Sequence, residues 1–525
     1  MQFIKNGPDI PERLLQAHED GRVILFCGAG ISFPARLPGF KSLIKKLYAE
    51  LSFAPNPVQQ TAIKAGQYDT VISLLEGKSG ITGGREKVRK VLESILTPNL
   101  SASSATATHE ALLNLARLRD GRLRLITTNF DRLFEEVISK QNLNIERFEA
   151  PLLPVPKNKW DGLVYLHGLL APPPSSISQL DRLVISSGDF GLAYLTERWA
   201  ARFVSELFRN YTVCFVGYSI NDPILRYMMD ALAADQQLGE SPPEMFAFGS
   251  YSKHQEKKCT NEWLAKNVTP ILYREHNHHT YLHKTLIEWA DIYRNGVSGK
   301  TQIISRHAIY SPLNSTVEDN FAGRVIWAIS DKSGLPAKFF AELEQVPPLS
   351  WLEWMDKNLL NHNDLSRFKV TPNTLKDDAL NFSILRRPSP YTDAPWMKLV
   401  NTGNENGKWD DVMTQIAHWL TRHLDDSNLI LWVAKHGGQL HPQFARLIRN
   451  RLTELHQFIQ QNNNAALNHI RTYSPSAIPR PVMRTLWNLV LSGRVSSNAY
   501  RSDSLYDWVR HYNSNGLTTT LRLEL

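Results

Sequence analysis

Four short clusters within the first 223 residues bring together side chains and turns that could do chemistry. The first is Gly28-Ala29-Gly30-Ile31-Ser32. Glycines let a backbone come close to a pyrophosphate, and amides exposed at a turn before a helix can bind its charge. It is not a full Gly-x-Gly-x-x-Gly, because Phe33 stands where the third glycine would be. The second is Thr127-Thr128-Asn129-Phe130-Asp131. Asn129 offers both a donor and an acceptor, which suits a carboxamide or a water. Asn129 or Asp131 could equally cap a helix starting near Arg132. The third is Tyr165-Leu166-His167-Gly168, whose neutral imidazole could accept a proton from a ribose hydroxyl. The fourth is Gly217-Tyr218-Ser219-Ile220-Asn221-Asp222-Pro223. Gly217 and Ser219 can present backbone and hydroxyl donors to phosphate or ribose, and Asp222 before Pro223 also reads as a helix cap.

Each cluster follows a short apolar run. Val23 to Cys27, Leu123 to Thr128, Leu163 to Leu166 and Tyr211 to Val216 read as strands, with Leu183 to Ile185, Met245 to Phe248 and Pro270 to Tyr273 as further candidates. Short, mostly apolar strands separated by helical stretches predict a parallel sheet covered on both faces, an α/β Rossmann-like fold. In such sheets ligands sit at the C-terminal strand ends, where all four clusters fall.

In this order the clusters resemble the sirtuin family, whose pattern is Gly-Ala-Gly-x-Ser, Thr-Gln-Asn-x-Asp, His-Gly and Gly-x-Ser. The resemblance spans about 200 residues. It implies a sirtuin-like fold over 1–295 that binds NAD. Gly28, Ala29, Gly30 and Ser32 would hold the pyrophosphate side. Asn129 and Asp131 would line the nicotinamide pocket, with Thr128 beside the reacting ribose. His167 would be the base, and Gly217 and Ser219, with Asp222 nearby, would meet the adenosine half. Three features depart from the deacetylases. Thr128 replaces a glutamine, and Gly39-Phe40-Lys41 stands near their Asp-Phe-Arg. Their zinc module of two Cys-x-x-Cys pairs has no counterpart, since the chain has 3 cysteines, Cys27, Cys214 and Cys259. No zinc is therefore expected.

These departures resemble the bacterial anti-phage defence branch of the family. That resemblance implies hydrolysis of NAD to ADP-ribose and nicotinamide as an abortive-infection response. It also implies a homo-oligomer, with a phage protein or partner defence protein acting through a helical region. A protein deacylase, and an NAD or ADP-ribose-derivative sensor without catalysis, use the same pocket and remain alternatives.

Composition sets the frame. The chain has 525 residues, 42% hydrophobic and 21% charged, with a formal net charge of +8. That mild basic excess includes no long basic block, and leaves nucleic-acid binding open without arguing for it. An odd cysteine count, no signal-like start and no apolar run of about 18 residues favour a cytoplasmic protein with no membrane span. The stretch 296–330, with Asn295-Gly296 and Ser311-Pro312, reads as a linker or joint. Beyond it, 331–525 reads as mainly helical, a sensor or assembly region. Phe444, Leu447, Ile448, Leu452, Leu455 and Ile459 share a helical spacing there, as do Val412, Ile416, Trp419 and Leu420, and Val482, Leu486 and Leu489. Arg446, Arg449, Arg451, Arg471, Arg480 and Arg484 make this region basic. The ending Thr518 to Leu525 looks strand-like, as if the chain continued in a longer protein. His276, His278, His279 and His283 have metal-like spacing but lie in a loop pattern, and no metal site is assigned to them.

Overall fold

The computed structural model describes residues 1–77, 84–102, 104–156, 160–172, 174–220, 222, 224–229, 243–331, 333–359, 411–435 and 440–492. The strand expected at 518–525, and Asn221 and Pro223 of the fourth cluster, lie outside them. The chain divides into two compact units, Met1–Arg294 and Asn295–Leu525.

The first unit is built on a seven-stranded sheet in the order β3-β4-β2-β1-β5-β6-β7. All six pairings are parallel. β1 (Val23–Cys27), β2 (Arg124–Thr127), β4 (Gly162–Tyr165) and β5 (Thr212–Val216) are buried at every position. That is why they read as continuous apolar runs and not as alternating ones. β6 (Met245–Tyr251) and β7 (Val268–Arg274) extend the sheet. From β1 the sheet grows toward β2 on one side and toward β5 on the other, so β1 marks the topological switch point, where a crevice opens at the strand ends.

Two elements differ from expectation. Leu183 to Ile185 is not a strand. It is irregular chain whose apolar side chains are buried in the two main cores, and the Val184 amide donates to the His167 carbonyl at 3.0 Å. Conversely β3 (Arg147–Glu149) escapes detection. It is a three-residue edge strand, Arg-Phe-Glu, paired only to β4 and largely exposed.

Between β1 and β2 the chain inserts a helical module, Phe40–Glu50, Pro57–Lys64, Tyr68–Glu76 and Gly84–Ile95. Its core joins Leu43, Leu47, Val71, Leu75 and Leu92 to Phe130 and Ile185. On another part of the sheet, the helix Trp199–Asn210 buries Phe203, Val204, Leu207 and Phe208 against Phe26 and Phe215.

The named elements of the second unit are helices. The segment 296–330 holds the helices Val297–His307 and Phe321–Ile329, the latter largely buried. The breakers that suggested a joint mark helix ends, with Gly296 at φ +54° between Asn295 and Val297. Buried tryptophans organise the core further on. Trp351, Trp419 and Trp487 each donate an indole N–H to a backbone carbonyl, of Ala308, Pro347 and Leu424. The helix Pro481–Leu491 buries Met483, Trp487 and Val490, so the stripe read as Val482, Leu486 and Leu489 is one position off. Of the basic residues noted there, Arg451 pairs with Glu454, Arg480 with Asp425, and Arg449 and Arg484 donate to carbonyls. No described helix is long and apolar enough to cross a membrane.

Candidate functional site

The turns after β1 and β5 are locked together. The Gly28 amide donates to Val216 O at 2.8 Å and the Gly30 amide to Gly217 O at 2.9 Å. A Cβ on Gly30 would lie 2.9 Å from the Gly217 Cα. One on Gly217, at φ +79°, would lie 2.8 Å from Gly28 O and Ile31 N. The glycines of both motifs therefore serve a close approach of two backbones. The amides of Gly28 and Gly30 are spent inside the protein, and the expected open turn is a 3₁₀ helix, Ala29–Ala35. Its Ser32 is buried and points to the next loop.

That loop follows β2 and carries a polar network. Ser32 Oγ donates to Asp131 Oδ2 at 2.8 Å. Asn129 Nδ2 donates to Ser32 Oγ at 3.2 Å and to Gly28 O at 3.3 Å. His109 Nε2 sits 3.3 Å from the same hydroxyl. Since the hydroxyl's proton goes to Asp131, His109 has to donate there. Asp131 Oδ1 also accepts from the Leu133 amide at 3.1 Å, two residues on, while the N-cap position of the helix Leu133–Lys140 is Arg132. Burial raises the Asp131 pKa, and the bonds from Ser32 and Leu133 oppose the rise. Thr128 Oγ1 lies 2.7 Å from the Tyr218 hydroxyl, tying the β2 loop to the β5 loop.

Ala29, Ser32, Thr128, Asn129, Asp131 and Asp222 line one cavity of about 40 Å³. Phe40, Leu43 and Leu96 of the helical module and Phe130 and Ile224 complete it. Asp222 accepts from the Ile224 amide at 3.0 Å, the contact of a helix cap, and burial pushes its carboxyl up to about 6. The lining holds two carboxyl groups, two hydroxyls, an amide and apolar walls, with no lysine or arginine among the described residues. Such a lining suits a flat cationic ring bearing a carboxamide better than a phosphate. Its volume is far below the roughly 300–1,000 Å³ of ligand sites.

His167 stands apart from that lining. It follows β4, is 0% exposed and meets two aromatic rings, Phe190 and Tyr194. Its Nε2 lies 3.0 Å from the Tyr194 hydroxyl, and it packs edge-on against Phe190. Phe190 in turn stacks on Tyr227 at 4.8 Å. Burial lowers the His167 pKa to about 3, so the ring is neutral. Ser219 is exposed, and its carbonyl accepts from the Asp222 amide.

The sequence reading missed His109, Tyr194 and Tyr218. Tyr218 sits inside the fourth motif and could have been found there. His109 lies on the apolar helix Ala107–Ala116, where a lone histidine carries no signal of its own. The histidines of the 276–283 stretch are scattered in role. His283 Nδ1 is 2.9 Å from Thr108 Oγ1, His279 Nδ1 is 3.0 Å from the Tyr273 hydroxyl, and His276 stacks on Tyr281. Among the described residues no group of three or more metal-binding side chains gathers.

Comparison with known proteins adds two findings. Residues 123–271 match the SIR2-like domain, a family that uses NAD. The match covers the clusters after β2, β4 and β5 but not Gly28 to Ser32. The chain is also 30% identical over 345 residues to an uncharacterized protein, y4cA, of Sinorhizobium fredii. That alignment takes in 64% of this chain and 28% of the relative.

Proposed function

We propose that the Met1–Arg294 unit hydrolyses NAD at the bond between the nicotinamide nitrogen and the ribose. Water supplies hydroxide to ribose C1′ and a proton to the medium, and nicotinamide leaves with the bonding electron pair. The observation that carries this reading is the convergence of Ser32, Thr128, Asn129, Asp131 and Asp222 on one cavity at the switch point, most of it within the SIR2-like stretch. Asn129 would orient the carboxamide. Asp131, held by Ser32 and the Leu133 amide, would face the positive charge that grows on the ribose. His167 would take a proton from a ribose hydroxyl. Gly28, Gly30 and Gly217 would fix the two turns beside the pocket, and Ser219 would offer a hydroxyl on the adenosine side.

The test is nicotinamide and ADP-ribose release followed by chromatography. His167→Ala should cut turnover by about 10²–10⁴-fold, the usual range for a general base, in protein shown by circular dichroism to be folded. Unchanged NAD loss in that variant would sink the mechanism. Release that depends on an acyl-lysine peptide would point instead to a deacylase. The small cavity and the buried imidazole favour one second reading, a sensor that binds NAD without cleaving it. Calorimetric NAD binding with no nicotinamide released would support that sensor.

At the level of the cell we propose that NAD depletion serves anti-phage defence, with the Asn295–Leu525 unit as the sensing or assembling part. The support is the family resemblance. Cells carrying the chain should lose NAD on infection, and cells carrying His167→Ala should keep it.

A further inference from the structure

The two ring nitrogens of His167 are in different situations. Nε2 is within hydrogen-bond distance of the Tyr194 hydroxyl, at 3.0 Å. Nδ1 is buried and has no partner among the described residues. A neutral imidazole carries one proton, so the Tyr194 contact decides which nitrogen keeps a lone pair. If the phenol donated to Nε2, the proton would sit on Nδ1 as a fixed buried donor facing no acceptor. If Nε2–H donates to the phenol oxygen, the leftover donor is the phenolic O–H, which can rotate about its C–O bond to seek a partner. The ring N–H cannot. The second arrangement is the less costly one.

We infer that Tyr194 is a positioning residue: it accepts from His167 Nε2–H and so keeps on Nδ1 the lone pair that takes the substrate's proton. This rests on His167 being the base of the proposed reaction. The surroundings hold the contact in place. Tyr194 lies in a single turn of π-helix, Gly191–Thr196, in which the Glu197 amide bonds to Leu192 O at 2.9 Å. One-turn π segments are rare and recur at functional sites. Tyr194 also packs on Tyr227 at 5.7 Å, and the Tyr227 hydroxyl donates to Asp69 at 2.9 Å. The phenol is thus braced from a second element, as the third member of a nucleophile–base–orienter set must be.

The test uses the full chain with 15N-labelled histidine, with the His167 signals assigned by their loss in His167→Gln. The wild-type ring should carry its proton on Nε2. In Tyr194→Phe the two tautomers should mix, kcat for NAD should fall about 10- to 100-fold, and KM should change less than about twofold. A proton on Nδ1 in the wild-type protein overturns the inference without any variant being made. So does a Tyr194→Phe kcat that is unchanged or raised, the latter marking the phenol as a cover over the base. Wild-type protein with the expected tautomer, shifting in Tyr194→Phe, but with no NAD turnover would uphold the role of Tyr194 and remove the hydrolase.

Discussion

Ser32 Oγ has one proton and three polar neighbours, Asp131, Asn129 and His109. Everything around it is buried, so each bond it makes is one that water cannot replace. Ser32→Ala would leave an Asp131 oxygen and the His109 Nε2 donor without their partner. The expected cost is about 1–3 kcal/mol of stability. Nicotinamide release should also drop, because the Asn129 amide loses an anchor. Urea denaturation beside the chromatographic assay checks both, and an unmoved midpoint would mean the network is already broken in solution. At this scale the sequence was informative where chemistry came as a motif. Ser32, Asn129 and Asp131 were legible together, and one cavity collects them. His109 and Tyr194 were not, because what marks them is a partner 77 or 27 residues away. Local spacing holds no trace of such a pairing.

Among the elements, one buried cation holds the segment that covers His167. Arg89, on the helix Gly84–Ile95, donates to Glu76 and to Asp189 and has 1% of its side chain exposed. Asp189 sits in the turn before Phe190 and also accepts from the Ser186 amide at 2.9 Å. Removing one member of a buried ion network leaves the other charges uncompensated, a loss of up to about 3–5 kcal/mol. Arg85 also pairs with Glu76 and Asp189, so Arg89→Met should fall at or below the low end of that range. Thermal unfolding measures it, and a variant as stable as the parent would show that Arg85 suffices. Elements were legible where burial on both faces made a strand uniformly apolar, as in β1 and β5. The same rule misled at Leu183 to Ile185, where burial comes from packing into the two cores and not from pairing as a strand. It also missed β3, whose edge position leaves it polar. Gly296 and Pro312 were rightly read as breaks, but a break between two helices looks the same in sequence as one beside a linker.

For the first unit as a whole, its buried histidines should make it acid-sensitive. Burial lowers His18 and His283 to about 4, and His109 and His167 to about 3. The unfolded chain would take up protons on these rings near 6.5, and the folded unit does not. Stability from these groups is therefore full above about 6.5 and is lost as pH falls toward 4. Asp131 and Asp222, both raised by burial, act in the opposite sense, favouring the folded unit at low pH and losing that contribution as pH rises through their folded values. Four rings outweigh two carboxyls. Each group contributes at most about 1.4 kcal/mol per pH unit, so urea midpoints should drop clearly between pH 7 and pH 5. A flat profile would show that the rings are already charged in the fold. The locked turns after β1 and β5 bear on which side of the site can give way to a bound molecule. Where Gly28 and Gly30 meet Gly217 there is no slack for even a methyl group, so that seam moves as one piece or not at all. The opposite wall carries Phe40 and Leu43 on a helix whose apolar side chains pack into the module's core, so any widening of the site would come from that side. One side of the site is thus set by backbone against backbone, the other by side chains alone, and only the second can be reshaped by substitution without moving the sheet.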